Sequence, residues 1–427
     1  MVQSAPTRSV DLDALRAAAQ AFAREEIRPV ALEYDETEEY PLEVLRRAAA
    51  LGLTCYDLPA EYGGGGVESL RDRCEIVEEL AWGDSPIFWV IAQGGFFAGP
   101  LLALGSAEQK RRWLPPLCSP EPPACAVAIT EPAHGSDAAA IETTAVGRGN
   151  GYLLNGRKKF IGNGHIADVC IVFATVEPGS RSRGITAFVV ERDDAGFVRG
   201  PRLPKMGSRC FPAAEVAFED CFVPEDRRLG EEGAGFRGLM WVFDVARIQL
   251  AAGAVGLGRA ALELAVEYAK ARQAFGRTIH EFQAVSFRLA DAKLKLDQAR
   301  LMTHRAAELA DAGRPFSTEA AMAKLAASEA AVFATSAVVM TLGGAGYIRD
   351  SLAQKWYRDA KLDEIWDGTS DIMRLIVARS LFPKTGEIPA TTCSSNRCNS
   401  GRSPRGTASS RFRTATAWAI ATRRRTR

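Results

Sequence analysis

The chain has 427 residues, of which 47% are hydrophobic and 25% are charged, and its formal net charge is +1. These values are ordinary for a globular protein and leave room for two or three domains. The nine cysteines include no C-x-x-C pair and the four histidines no H-E-x-x-H, so the sequence predicts free thiols rather than a disulfide framework or a metal site.

Residues 1–117 are predicted to form an N-terminal helical domain. In DLDALRAAAQAFAREEI and LEVLRRAAALGL, apolar residues recur at intervals of three and four, which is the helical period. The first residues resemble no secretory signal, and we expect no stretch of membrane-spanning length, which makes the cytoplasm the default compartment.

Residues 118–235 are predicted to form a central β domain. In DVCIVFATV, GITAFVVE and AAEVAFEDCFV the hydrophobic period changes to two and β-branched residues become frequent, as is typical of strands. The Gly149-Asn150-Gly151 segment predicts a tight hairpin turn.

Residues 236–384 are predicted to form a C-terminal helical bundle, because long Ala- and Leu-rich segments return there. Within it, Gly256 to Ala261 matches a loose G-x-G-x-x-A dinucleotide motif. No strand precedes that motif, as a dinucleotide fold requires, so we interpret it as close helix packing.

The last segment, residues 385–427, differs in character from the rest of the chain. It contains nine arginines and one acidic residue, Glu387, so it carries +8 and leaves −7 on the remainder. It lacks periodicity and is predicted to be disordered, as is typical of a frameshifted or vector-derived end. A nucleic-acid-binding arm is the alternative, but the acidic body shows no polyanion-binding pattern.

Five motifs occur in order along the chain. They are AITEPAHGSD (128–137), LNGRKKFIGNG (154–164), YAKARQAFGRTIHEFQAV (268–285), LGGAGY (342–347) and RDAKLDEIWDGTSDIMRLIVAR (358–379). The first alone fits a plain turn as well as a loop that offers N–H groups to an anionic or heteroaromatic ligand. Together they resemble the acyl-CoA dehydrogenase family of flavoproteins, over about residues 10–382.

The resemblance implies an α+β fold with an N-terminal helical domain, a central β-barrel-like domain and a C-terminal four-helix bundle. It implies FAD bound between the domains and against a neighbouring subunit, in a homotetramer or dimer. It also implies an acyl-CoA substrate, with electrons passed to an electron-transferring flavoprotein. The acidic body and the scattered cysteines and histidines predict neither a nucleic acid nor a metal as partner.

The resemblance also assigns site residues by motif position. Those expected to contact FAD are Ile129, Thr130, Gly135, Ser136, Phe160, Gly162, Arg272, Phe275, Gln283, Gly343, Gly344, Thr369 and Asp371. Of these, Arg272, Phe275 and Gln283 are expected to reach the FAD of the adjacent subunit. Taken singly, Phe160 and Phe275 fit core aromatics and Arg272 a solvated charge. Those expected along the substrate channel are Phe243, Asp244, Arg247, Trp366 and Gly368.

Asp367 is the predicted catalytic base. In the family a carboxylate removes the α proton of the thioester, flavin N5 receives the β hydride, and the base's own N–H helps to bind the thioester carbonyl. Most relatives place a Glu directly before the Gly-Thr pair, and a minority place it before an Arg on an earlier helix, where this chain has Ala246. Asp367 is the only acid at either position. The alternative is that Asp367 merely caps the helix that begins at Ser370.

The shorter base bears on the substrate. Asp is one methylene shorter than Glu, roughly 1.5 Å of reach, and relatives with Asp there act on cyclohexane-type carboxyl-CoA thioesters or are nitroalkane oxidases. Trp366 predicts a flat wall or a blocked straight tunnel beside the base. We therefore expect a cyclic or α-branched acyl group.

Three further positions depart from the family pattern. Gly162 replaces a common Thr or Ser near flavin N5, Met340 replaces a frequent Gln, and His134 replaces a small residue. Three alternative functions remain open. They are dehydrogenation of a carrier-protein thioester, a nitroalkane-oxidase-like reaction, and a non-catalytic DNA-binding role that the acidic body disfavours.

Overall fold

The computed structural model describes residues 11–382, so the predicted disordered tail lies outside the described residues. The N-terminal part is helical: its helices are α1 (Leu12–Phe22), α2 (Ala31–Thr37), α3 (Leu42–Ala50), α4 (Leu70–Gly83), α5 (Ser85–Ile91), α6 (Gln93–Leu104) and α7 (Ala107–Trp113). Local capping explains several of these starts. The Asp11 carboxylate accepts a hydrogen bond from the Ala14 N–H at 3.0 Å, and Ser106 and Gln109 form a capping box at α7.

The central part is a mostly antiparallel sheet in which β4 pairs in parallel with both β1 and β2. Its strands are β1 (Cys125–Ala128), β2 (Thr144–Arg148), β3 (Gly151–Gly162), β4 (Val169–Thr175), β5 (Ile185–Glu191), β6 (Phe197–Arg202), β7 (Ala213–Pro224) and β8 (Arg228–Leu229). The strand order is β6-β7-β3-β2-β4-β5-β8, with β1 parallel to β4. Arg148 pairs with Gly151 across the predicted hairpin turn, and Gly149 takes the positive φ of +60° that such a turn requires.

The C-terminal part is a helical bundle. Its elements are α8 (Gly235–Ala271), the short hairpin β9 (Gln273–Ala274) and β10 (Arg277–Thr278), α9 (Gln283–Asp311), α10 (Ser317–Leu342), α11 (Gly344–Tyr347), α12 (Leu352–Asp363) and α13 (Ser370–Leu381). The predicted order of a helical, a β and a second helical part is thereby confirmed.

Two bundle helices correct the expectation that no stretch reaches membrane-spanning length. By length and composition, α8 and α10 are both apolar enough to cross a membrane, and more than half of the residues in each apolar stretch are buried in the protein. Both are apolar on most sides because they are central in the bundle and pack on other helices all round.

The glycines of the false dinucleotide motif lie within α8 and allow close helix packing, as predicted. A Cβ atom on Gly256 would lie 2.3 Å from the main-chain oxygen of Glu78 on α4. A Cβ atom on Gly258 would lie 2.4 Å from the side chain of Leu296 on α9. Any larger residue at either position would push α8 away from its neighbours.

Candidate active site

The predicted base lies in the turn between α12 and α13. Asp367 has a φ of +49° and Gly368 a φ of +105°, so both adopt left-handed backbone conformations, which are uncommon for aspartate. The cap of α13 is Thr369, whose hydroxyl oxygen accepts a hydrogen bond from the Ile372 N–H at 3.3 Å. Asp367 therefore does not cap this helix, and its carboxylate is left for another role.

Two buried cations bind successive carbonyls of this turn. Arg247 on α8 donates from Nε to the main-chain oxygen of Asp367 at 3.1 Å. Lys324 on α10 donates from Nζ to the main-chain oxygen of Gly368 at 2.7 Å. A Cβ atom on Gly368 would lie 2.6 Å from the Met373 methyl group, so the turn is tightly packed as well as hydrogen-bonded.

The surroundings of Asp367 change its acidity. Burial raises the pKa of Asp367 from 3.8 to about 6, while the positive charges of Lys324 and Arg247 act in the opposite direction. Burial likewise raises the pKa of Asp363, at the end of α12, to about 7. A carboxylate with a raised pKa is a stronger base that is still mostly ionised at neutral pH.

The residues predicted along the substrate channel meet at Arg247. The Arg247 guanidinium is buried, and its Nη1 donates to the Asp244 carboxylate at 2.7 Å. Asp244 also accepts a hydrogen bond from the Ser317 hydroxyl. The Phe243 ring centroid lies 5.6 Å from the guanidinium carbon, so all three residues lie in one cluster beneath the Asp367 turn.

An aromatic wall stands beside the base. It consists of Trp366, Trp89 and Phe211. The Trp366 ring meets the Trp89 ring edge-on at 5.1 Å between centroids, and the Phe211 ring lies 6.3 Å away on another side. Phe211 also contacts the position of Gly162 at the end of β3, because a Cβ atom there would lie 2.9 Å from the Phe211 ring. Phe211 therefore links the β domain to the Asp367 turn.

The first half of the predicted flavin loop is anchored by a buried ion pair. Lys158 on β3 donates from Nζ to the Ile129 carbonyl at 2.9 Å and to the Glu131 carboxylate at 2.8 Å. The Lys159 N–H donates to the Thr130 carbonyl at 2.8 Å. The second half of the loop, including Gly135 and Ser136, is exposed. The anchored first half of the loop therefore supports an exposed second half.

The other predicted cofactor residues lie on the surface of this chain. Those concerned are Phe160, Arg272, Phe275, Gln283, Gly343, Gly344 and Asp371. The Phe160 side chain is 64% exposed and the Phe275 side chain 95% exposed, so neither is a core aromatic. Asp371 pairs with Arg374 at 3.3 Å. Within residues 11–382, no hydrogen bond or ion pair joins Arg272, Phe275 or Gln283 to the flavin loop or the Asp367 turn.

Two of the departures from the family pattern also have simple surroundings. His134 lies with Nε2 3.3 Å from the Glu142 carboxylate, within the loop itself. Met340 is exposed near the end of α10. Neither contacts the Asp367 turn through a hydrogen bond or an ion pair in the described part of the chain.

Three residues at this site were not among those predicted from the sequence: Lys324, Asp363 and Phe211. Lys324 had a signal, since it is the lone basic residue in the Ala-rich segment of α10, and a lysine in an apolar helix predicts a buried charge. No sequence signal marked Asp363 or Phe211 as a site residue, because each lies in a segment with ordinary polar neighbours.

The chain matches known proteins along its described length. Three family models cover it: acyl-CoA dehydrogenase, N-terminal domain, at residues 9–121, the middle domain at residues 126–221, and the C-terminal domain at residues 233–382. Rat short-chain specific acyl-CoA dehydrogenase, a mitochondrial protein, is 39% identical over 369 residues, which are 86% of this chain and 89% of that protein.

Solved structures with the same fold cover a similar share. Butyryl-CoA dehydrogenase from Megasphaera elsdenii is 34% identical, with a TM-score of 0.83 over 88% of this chain and 100% of that one. The prolyl acyl carrier protein oxidase AnaB is 30% identical, with a TM-score of 0.84 over 88% of this chain and 100% of that one. The chain belongs to the acyl-CoA dehydrogenase family of oxidoreductases.

Proposed function

We propose that this protein catalyses the α,β-dehydrogenation of an acyl-CoA thioester, with Asp367 as the base that removes the α proton. The observation that carries the proposal is the Asp367 turn. Its carboxylate does not cap α13, burial raises its pKa to about 6, and Arg247 binds its main-chain carbonyl. No acid stands at Ala246, the other position at which the family places a base.

The turn also offers a hydrogen-bond donor for the thioester. Among the described residues, the main-chain N–H of Asp367 donates to no main-chain acceptor. A free N–H beside the base suits the thioester carbonyl oxygen, on which negative charge develops as the α proton leaves. Arg247 and Lys324 hold the next two peptide carbonyls of the turn, which limits the movement of the backbone that carries this N–H before substrate binds.

The residues present fit FAD, which would supply the hydride acceptor. Gly135, Gly343 and Gly344 have open space where a Cβ atom would stand, so a large ligand can approach their backbone. The exposed Phe160 ring offers a flat apolar surface. The Ile129 and Thr130 backbone is held in place by Lys158 and Lys159, and Arg272 is free to bind a phosphate.

We propose a homo-oligomer, because the second set of cofactor residues fits a neighbouring subunit better than its own. Phe275 is 95% exposed in the hairpin between α8 and α9, with Arg272 and Gln283 exposed beside it. The family's arrangement assigns these residues to the FAD of the next subunit. An electron-transferring flavoprotein would then be the acceptor of the electrons.

The acyl group is proposed to be short, and branched or cyclic rather than long and straight. Relatives of this chain are named short-chain specific and butyryl-CoA dehydrogenases. The Trp366 ring is packed between Trp89 and Phe211, so it cannot easily swing aside to open a long tunnel. The shorter reach of Asp367 requires the α carbon to lie closer to the turn, which a compact acyl group allows.

A carrier-protein thioester is the second candidate substrate. The similarity to AnaB, a prolyl acyl carrier protein oxidase, favours it. Both candidates use the same Asp367 chemistry and differ only in what carries the acyl group.

One experiment separates these candidates. The FAD-loaded protein is mixed anaerobically with butyryl-CoA, isobutyryl-CoA, cyclohexanecarboxyl-CoA and prolyl carrier protein, and flavin bleaching is followed by absorbance. We expect bleaching by a compact acyl-CoA and a loss of at least about a thousandfold in the Asp367→Asn variant. Bleaching by the carrier-protein thioester alone would favour the second candidate. Undiminished bleaching in the variant would remove Asp367 from its role.

Nitroalkanes are tested as substrates beside the thioesters. Oxygen consumption with nitroethane, together with no bleaching by any thioester, would replace both candidates by the nitroalkane-oxidase-like reaction. Asp297→Asn is the matched control for the aspartate change, because Asp297 is exposed on α9, pairs with Lys293 and belongs to neither the cofactor set nor the substrate set. Its effect on the rate of bleaching should be smaller by orders of magnitude than that of Asp367→Asn.

A further inference from the structure

Lys324 is a buried cation at the centre of the bundle. Its side chain is 1% exposed, and its Nζ donates at 2.7 Å to the carbonyl of Gly368, the residue after the proposed base. A lysine at such a position costs stability compared with an apolar residue, unless its charge is balanced. The acidic residues that balance the charge of Lys324 therefore indicate what this lysine does.

Asp363 is the nearest of these charges. It is 5% exposed at the end of α12, and its Oδ1 accepts from the Trp366 indole N–H at 3.2 Å. Its other oxygen, Oδ2, is buried and has no hydrogen-bond partner among the described residues. Asp363 thus holds Trp366, the residue directly before the base, while it leaves one carboxylate oxygen to interact with Lys324 through space.

We propose that Lys324 is a positioning residue for Asp367, and that its charge favours the ionised form of the Asp367 carboxylate. Lys324 holds the carbonyl after the base, and Asp363 holds the side chain before it. The two residues therefore restrain the turn from both sides. This inference rests on the proposed role of Asp367.

The charges facing this cluster come from several elements. From α8, Arg247 is paired with Asp244. From α10 comes Lys324, and from α12 and the following turn come Asp359, Asp363 and Glu364. Asp359 accepts from Lys355 at 2.8 Å and Glu364 from Lys361, so both are already neutralised.

Of these groups, Lys324 and Arg247 are the two whose positive charges act on the Asp367 carboxylate, Lys324 more strongly. Arg247 is paired with Asp244, and burial raises the pKa of Asp363 to about 7, so Asp363 is largely neutral near pH 6, where Asp367 titrates. Burial lowers the pKa of Lys324 to about 8, against the opposing effect of Asp363 and Asp367. Lys324 therefore stays mostly protonated at neutral pH, and its charge favours the ionised form of Asp367.

The test compares two substitutions of Lys324. Lys324→Met removes a positive charge, so the pKa of Asp367 should rise by about 1 unit. Lys324→Arg keeps the charge, so the pKa of Asp367 should stay close to that of the wild type. A loss of packing alone would shift both variants in the same direction, so the difference between them is diagnostic.

Two readouts are measured on the FAD-loaded, full-length protein. The first is the acid limb of the pH profile of kcat/KM. The second is the pKa of Asp367 itself, followed by the carbonyl stretch of its protonated carboxyl in infrared difference spectra and identified by its absence in Asp367→Asn. Lys324→Met should also lower kcat more than it raises KM, because a misplaced base affects the chemical step. Lys324→Arg, which keeps the charge, should restore part of the rate.

Lys293→Met is the matched control, since it is the same change at an exposed lysine of α9 whose partner Asp297 is also exposed, and it should leave the pKa of Asp367 unchanged. An unchanged pKa of Asp367 in Lys324→Met, or equal shifts in Lys324→Met and Lys324→Arg, would overturn the inference. If Lys324→Met fails to fold, Lys324→Gln removes the same charge with a polar side chain, and the shift in that variant decides. Full bleaching in Asp367→Asn would instead defeat the proposed function, while the infrared pKa would still test the charge effect.

Discussion

The ring of Phe211 fills the space in front of Gly162. A Cβ atom on Gly162 would lie 2.9 Å from the ring carbon Cζ, closer than side-chain carbons normally approach. A Thr or Ser, which relatives commonly carry at this position, therefore cannot be accommodated here unless Phe211 moves. The absence of a hydroxyl at position 162 and the presence of the Phe211 ring are therefore linked, because the two groups would occupy the same space.

Gly162→Thr should lower the free energy of unfolding by about 1–3 kcal/mol because of this overlap, and should weaken flavin retention. The double variant Gly162→Thr with Phe211→Ser should recover much of the loss, since the smaller side chain frees the space. Guanidinium unfolding and the absorbance ratio of flavin to protein measure both effects. Gly147→Thr is the control, because no atom lies within 4 Å of its Cβ position. Equal losses in the single and double variants would contradict this account.

The pH dependence of the reaction should report the acidity of Asp367. The base acts only when ionised, and burial raises its pKa to about 6. We therefore expect kcat/KM to fall about tenfold per pH unit below pH 6 and to level off above it. The profile between pH 5 and pH 9 with a slowly reacting thioester measures this directly. A limb centred near pH 4 would mean that the carboxylate is solvated like an ordinary surface aspartate.

The same raised pKa has a consequence for stability. Between about pH 4 and pH 6 the unfolded chain loses the Asp367 proton before the folded protein does, so folding stability decreases as pH rises through this window. Asp367→Asn removes the ionisation, so its melting temperature should exceed that of the wild type at pH 8 and match it near pH 4. Asp371→Asn, at an exposed site, should show no such pH-dependent difference. A variant less stable than the wild type at pH 8 would refute the prediction.

A second cluster of buried charges is centred on Lys355 of α12. Lys355 on α12 is 1% exposed and donates to the buried carboxylates of Asp84 and, at 2.8 Å, Asp359. Asp84 caps α5 through the Ile87 N–H at 3.3 Å, and Asp359 accepts from the Ser208 N–H at 2.6 Å. One lysine thus connects the N-terminal helices, the β domain and the bundle.

Lys355→Met should destabilise the protein by about 3–5 kcal/mol, because it leaves two buried carboxylates without a cation. The loss should be smaller at pH 5, because burial raises the pKa of Asp84 to about 6 and this carboxylate can protonate there. Lys293→Met is the control: its ion pair with Asp297 is exposed and contributes less than about 1 kcal/mol. Guanidinium unfolding at both pH values measures the difference, and an equal effect for the two lysines would contradict the prediction.

Some features of this protein could be predicted from the sequence because they depend on neighbouring residues. The change of hydrophobic period from helical to alternating and back indicated the order of the three parts. The Gly149-Asn150 pair predicted its hairpin, and the order of five motifs indicated the family. The position of Asp367 before Gly368 and Thr369 marked it as the acid to examine.

Other features were decided only by the tertiary structure, because they depend on residues far apart in the chain. Whether Asp367 caps a helix or faces a site depended on Thr369 taking the cap. Its acidity depends on Lys324 and Arg247, which lie on two other helices and approach only when the bundle packs. The apolar character of α8 and α10 fits a membrane span by composition, and only their neighbours in the bundle explain it. Burial and charge proximity are properties of the packed molecule, and they decide here how far the acidity of Asp367 departs from that of an ordinary aspartate.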